Sequence, residues 1–206
     1  LKKLKIWLIL GNVFRKIITF FKIKFSTNHK IGNYGPFKID GYFAFSNFRD
    51  WGRKHNNCFQ LLIESSKNKK CVLDVGAHIG LVTLPLSTNI SIDGKIHAFE
   101  PSSANLNYLK RHIFLNNINN VIVIDKLIGD KDDQKIEFYE SLHPSGMNAI
   151  TISNKNEDYE KKTKDMITID TYVKENNLKP DIIKIDVEGA EELVFSGASY
   201  VLEHFK

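Results

Sequence analysis

From residue 69 onward, short continuous apolar runs alternate with stretches whose apolar positions recur every three or four residues. Cys71–Val75, Lys95–Phe99, Val121–Ile124 and Asp181–Ile185 are such runs, and their length and composition predict buried strands. Between them, Gly80–Ser87 predicts a helix. So does the series Leu106, Leu109, Ile113, with Ser102 or Ser103 as its N-cap. Gly189–Leu202, carrying Leu193, Val194, Val201 and Leu202, reads as one more helix. Strands and helices in this alternation predict an α/β domain with a parallel sheet wrapped on both faces.

The flanking segments follow other patterns. Residues 131–180 read as an insert between the third and fourth strands. Within it 136–139, 149–152 and 166–169 are strand-like, and 154–165 is a charged loop. Residues 26–68 read as irregular, punctuated by Gly32, Gly35, Pro36 and Gly41. Their dense aromatics, from Tyr34 to Trp51, are expected to pack as core rather than as a lid. Residues 1–25 are apolar and basic. Their longest uncharged run, Ile6 to Phe14, is too short to span a bilayer, and no small-residue cleavage site follows it. At helical spacing Lys3, Lys5, Arg15 and Lys24 fall on different sides, so the expectation is a partly buried helix, with peripheral membrane contact as the alternative. The organisation expected is therefore an N-terminal extension over 1–68 and a main domain over 69–206. With no initiator Met and an end just past a helical pattern, the sequence reads as a fragment.

Composition narrows the class. The 206 residues suit one domain, and 42% hydrophobic with 26% charged residues fits a globular chain. The net charge of +5 is concentrated near the amino end rather than in a stripe, so nucleic acid is not the expected partner. Cys58 and Cys71 are too few for a disulfide framework and lack metal-ligand spacing, which points to a cytoplasmic setting and to no metal site.

The candidate chemistry gathers at strand ends. In Val72-Leu-Asp-Val-Gly-Ala-His-Ile-Gly80 a strand carries Asp74 and turns through Gly76 and Ala77 into a helix starting near Gly80. Gly76 lets backbone approach a ligand without an intervening Cβ. His78 stands where a dinucleotide fingerprint needs glycine, which weakens a pyrophosphate cradle and with it a nicotinamide-dependent oxidoreductase. An acid before the turn suits a cationic ligand, and Asp74 is placed to receive an ammonium. Glu100, followed by the strand-ending Pro101, lies 20 residues beyond Gly80 and suits two ribose hydroxyls. Asp130, in Leu127-Ile-Gly-Asp130, is a candidate acceptor for an adenine amino group or simply a solvated turn residue. Asp186 and Glu188 follow the fourth strand and suit orientation of a hydroxyl and acceptance of its proton. His78 and His143 rank below these acids.

The runs VLDVGAHIG, HAFEPS, TIDTYV and IKIDVEGAEELVFSGA resemble the FkbM family of methyltransferases across roughly residues 70–202. The resemblance implies a Rossmann-like, doubly wound methyltransferase sheet, truncated here at the C-terminus. It implies S-adenosylmethionine as donor and methylation of a hydroxyl on a sugar, glycolipid or natural-product acceptor. It places Asp74, Gly76, Ala77 and Gly80 at the methionine end, Glu100 at the ribose and Asp130 near adenine, with Asp186 and Glu188 facing the acceptor. The family pattern often has Asn where this chain has His78. A nucleic-acid methyltransferase would be expected to carry an Asn/Asp-Pro-Pro-aromatic segment after the fourth strand, where this chain has Asp-Val-Glu-Gly. The remaining rival is a non-catalytic subunit that kept the fold.

Overall fold

The computed structural model describes residues 2–53, 56, 58–144 and 159–205. The chain opens with helix α1 (Lys2–Phe20) and then forms an antiparallel hairpin of β1 (Ser26–Ile31) and β2 (Tyr34–Asp40). The hairpin replaces the irregular stretch expected there. β1 reads Ser-Thr-Asn-His-Lys-Ile and buries only alternate residues partly, so its polar face hides the strand from a hydrophobicity pattern. A short helix, α2 (Phe59–Ser65), follows.

The central sheet comes next in β3 (Cys71–Val75), α3 (Thr83–Ser87), β4 (Lys95–Phe99), α4 (Ser103–Leu115) and β5 (Val121–Ile124). Ser102 is the cap of α4, its Oγ accepting from the Asn105 N–H. α3 starts three residues later than the periodicity suggests, because Gly80 at φ +95° is still part of the turn. A second, three-stranded sheet is built from β6 (Leu127–Ile128), β7 (Asp133–Ser141) and β8 (Tyr159–Ile167), in the order β6-β8-β7. Residues 159–165 thus form a strand rather than a loop. Glu160, Lys161, Thr163 and Asp165 are exposed and Lys162 and Lys164 are half-buried, and this run of polar residues gives the segment the composition of a loop. The expected strand at 149–152 and the start of the charged loop lie outside the described residues.

Thr168 then caps α5 (Ile169–Glu175), its hydroxyl accepting from the Thr171 N–H at 3.0 Å. β9 (Ile182–Ile185) returns to the central sheet, followed by α6 (Glu191–Ser196) and α7 (Ser199–His204). The single helix expected over 189–202 is therefore two. The break falls at Gly197, where an added Cβ would meet the Gly129 carbonyl oxygen at 2.0 Å. That close backbone approach is open only to glycine.

The central sheet is parallel throughout, in the order β5-β4-β3-β9. The chain moves outward from β3 to β5 and then crosses back to lay β9 on the other side of β3. Strand order reverses there, the place where open α/β sheets form their ligand crevice. Both faces are covered, as expected of a doubly wound sheet. Val72, Ile96 and Ala98 pack with Ile31, Phe37, Ile39, Phe43, Leu84 and Leu109 in one core. Leu73, Val75 and Phe99 pack with Ile169, Tyr172, Val194 and Val201 in the other. The aromatics of residues 34–51 mostly belong to the first core, although Phe45 is exposed.

Candidate functional site

A cavity of about 520 Å³ opens at the carboxyl ends of β3, β4 and β9. That size is within the ~300–1,000 Å³ range of small-molecule and cofactor sites. Gly76, Ala77, His78, Glu100, Pro101, Asp186 and Glu188 all line it, although they come from segments up to 112 residues apart. Asp74, Gly80 and Asp130 do not line it. Asp130 is exposed, since β5 ends at Ile124 and Leu127–Ile128 turn away to pair with β8. His143 is also exposed and outside the lining.

The glycine turn is pinned by main-chain bonds. The N–H groups of Gly76 and Ala77 both donate to the Phe99 carbonyl, at 3.0 and 2.9 Å. Gly76 has φ +79°, and a Cβ there would lie 2.0 Å from the Asp186 carbonyl oxygen. Only glycine lets the ends of β3 and β9 approach this closely. His78 adopts φ +54°, unusual for a residue with a side chain. That conformation aims its N–H at Glu100 Oε2, 2.7 Å away. Its ring Nε2 is buried with no hydrogen-bond partner among the described residues. Burial, with Lys184 and His112 nearby, lowers its pKa to about 4, so the imidazole is neutral in ordinary buffer.

Glu100 is buried at the end of β4. Besides the His78 N–H, it accepts from the Ser102 N–H at 2.9 Å and from Asn105 Nδ2 at 3.3 Å, both on Oε1. Burial dominates these bonds and pushes its pKa up to about 7. A carboxylate offers about four acceptor positions, so three donors leave capacity for a ligand hydroxyl.

Asp74 is fully buried. Its Oδ2 accepts from Thr83 Oγ1 at 2.6 Å, and its Oδ1 lies 3.1 Å from Lys184 Nζ. Lys184 also donates to the carbonyls of Gly76 at 2.7 Å and Val75 at 3.3 Å, and sits 3.9 Å from Asp186 Oδ2. One ammonium thus joins the buried carboxylate, the glycine turn and the mouth of β9. Asp74 is reached by this lysine rather than by anything in the cavity.

Across the mouth, Asp186 and Glu188 are both exposed. Glu188, at φ +52°, has its pKa raised by partial burial and by the negative Asp186 and Glu191 beside it. Glu191 instead anchors the loop, its Oε1 accepting from the N–H groups of Val187 and Gly189 at 3.2 Å each. Among the described residues no group of three or more His, Cys, Asp or Glu is placed to hold a metal ion.

Lys184, Thr83 and Asn105 belong to this site, and the sequence reading passed over them. Lys184 left one signal, a lone charge in the otherwise apolar strand Ile-Ile-Lys-Ile. Trp51 and Asn56 reach the cavity from the N-terminal segment, whose sequence carries no sign of it.

The sequence model of the Methyltransferase FkbM domain matches residues 74–206. No curated protein matches the chain. Among solved structures, TYW2 of M. jannaschii in complex with AdoMet is 26% identical, with 51% of this chain covering 47% of that one at a TM-score of 0.38. A SAM-dependent methyltransferase of Aquifex aeolicus is 25% identical, with coverages of 35% and 42% and a TM-score of 0.31. An rRNA methylase of Streptococcus thermophilus is 20% identical, with coverages of 36% and 43% and a TM-score of 0.32. The chain spans less than half the length of each of these proteins.

Proposed function

The chain belongs to the FkbM methyltransferase family, and from that premise we propose that it is an S-adenosylmethionine-dependent O-methyltransferase acting on a sugar, glycolipid or natural-product hydroxyl. The observation that carries this reading is the placement of Glu100 and the Asp186–Glu188 pair on one cavity at the point where strand order reverses. The residues present fit the donor. Glu100 has acceptor capacity for its ribose, and the cavity's three carboxylates suit a cation, since Lys184 is neutralised by Asp74. Once bound, the donor supplies an already activated methyl on a sulfonium.

The protein's own contribution is placement and proton acceptance. Orienting an acceptor hydroxyl toward the donor's methyl would supply much of the rate. Asp186 is positioned to orient the acceptor hydroxyl. Glu188, its affinity for protons raised, takes the proton as the new C–O bond forms, a contribution of roughly 10²–10⁴-fold. Asp74 and Lys184 hold the glycine turn in register. His78 and Pro101 form walls of the donor site, and Asp130 stays a candidate for the adenine end only if its segment closes over a ligand. The free thiols, Cys58 exposed and Cys71 buried, support a reducing, cytoplasmic setting.

The test is calorimetric titration of the folded chain with S-adenosylhomocysteine, with NAD as comparison. Roughly micromolar binding of S-adenosylhomocysteine, and none of NAD, is expected. Binding of NAD alone would return the oxidoreductase reading, and a folded chain binding neither ligand would favour the non-catalytic one. Once an acceptor is found, Glu188→Gln with undiminished turnover would remove the base role.

A further inference from the structure

From Leu10 to Phe20, helix α1 is apolar on two faces, and the domain covers only one. Gly11, Phe14 and Ile18 face inward. Phe14 packs edge-on against Phe25 and Phe45, with centroids at 6.0 and 5.0 Å, Ile18 is buried, and Arg15 lies 5.7 Å over the Tyr42 ring. On the other face Leu10, Val13, Ile17 and Phe20 are spaced three, four and three residues apart, one continuous stripe of a helix. They are 50, 50, 47 and 80% exposed, and the stripe runs on into Phe21 and Ile23. Six large apolar side chains in one place form a patch rather than scattered surface.

The charge around the stripe is one-sided. Nine Lys and Arg residues and no Asp or Glu precede Asp40, while all 24 acidic residues lie from Asp40 onward. The net positive charge of the molecule therefore resides entirely in the segment that carries the stripe. Lys16, Lys22 and Lys24 are exposed beside it. Among the described residues no helix is long and apolar enough to cross a membrane. An exposed apolar stripe with aromatic residues, flanked by cations and too short to span, has the character of a helix lying in a lipid interface.

We propose that the exposed face of α1 docks the protein on an anionic bilayer surface, with Val13, Ile17 and Phe20 entering the acyl boundary and Lys16, Lys22 and Lys24 meeting lipid phosphates. The surface is independent of the transfer chemistry, so its test stands or falls apart from the donor titration. The full chain is floated with vesicles of phosphatidylcholine, or of phosphatidylcholine and phosphatidylglycerol in equal parts. Binding to the anionic vesicles is expected to exceed binding to the neutral ones by about tenfold or more and to weaken with salt. Ile17→Glu with Phe20→Glu is expected to abolish it, and Lys22→Glu with Lys24→Glu to remove the preference for anionic lipid. Both variants alter exposed side chains, and unchanged thermal unfolding checks that they fold. Equal binding to both vesicle types, binding to neither, or variants that float like the parent would overturn the proposal. So would a vesicle-free dimer, seen by sedimentation, that the Ile17→Glu, Phe20→Glu variant dissociates.

Discussion

Glu100 is a carboxyl held against its own ionisation, and that makes it a reporter of ligand binding. Burial raises its pKa to about 7 against the pull of three hydrogen-bond donors. Ribose hydroxyls donate to the ionised form, so binding and proton release are linked. Below about 7 the affinity for S-adenosylhomocysteine should fall by roughly tenfold per pH unit, and above it level off. Glu100→Gln should flatten that profile and weaken binding by about 1–3 kcal/mol. Calorimetry over two pH units either side of neutrality reads both, and a flat profile for the parent chain would dissociate Glu100 from the ribose. The acids of the site were legible in the sequence because each ends a recognisable strand. Their partners were not. Thr83, Asn105 and Lys184 act on Asp74 and Glu100 through side-chain geometry, and Lys184 meets Asp74 across 110 positions of sequence. His112 is the clearest case. It is fully buried, its Nδ1–H donating to the Ile79 carbonyl while Nε2 accepts from the Asp40 N–H, and so it ties the glycine turn to the hairpin. In the sequence it is one histidine on an amphipathic helix.

Elements were legible where their apolar residues form an unbroken run or a regular period. β3 and β4 run over the residues their apolar runs mark, because a parallel strand covered on both faces must be apolar throughout, and β5 keeps its apolar run as the edge strand even though Ile122 is exposed. β1 and β8 carry polar residues on both faces, Thr27 and His29 in β1 and Lys162 and Lys164 in β8 being half-buried, so they read as loops. Helix breaks were invisible for a different reason, since the tight approach that splits α6 from α7 depends on a distant glycine. Two glycines make this testable with the same substitution. At Gly197 a methyl would meet backbone, and overpacking should cost about 1–3 kcal/mol. At Gly11, inside α1, the nearest atom to an added Cβ is Phe45 Cβ at an ordinary 3.6 Å, so Gly11→Ala should stabilise by up to about 1 kcal/mol. Urea unfolding of the two variants should therefore move in opposite directions.

For the whole molecule, the burial of histidines decides how the fold answers to acid. His29, His78, His97 and His112 all have pKa values lowered by burial. Unfolded, each takes up a proton near 6.5, whereas folded it does so only at lower pH. Each therefore contributes stability that is present above about 6.5 and lost as pH falls through its folded value. Glu100 has the opposite sign. Its raised value favours the folded state below the ordinary glutamate range, and that contribution is lost as pH rises toward about 7. Glu188 adds to it weakly, being exposed. Glu100 and His78 are displaced by similar amounts in opposite directions and largely cancel between about 4.5 and 6.5. The balance then rests on His29, on His97, bonded to the Tyr172 hydroxyl at 2.8 Å, and on His112. The melting temperature should accordingly rise with pH from about 4.5 to about 6.5 and flatten or dip slightly near 7. His112→Gln, which keeps a polar side chain but cannot titrate, should lower the melting temperature and make that rise shallower. A slope unchanged by the substitution would place the acid sensitivity elsewhere than at the joint between hairpin and glycine turn.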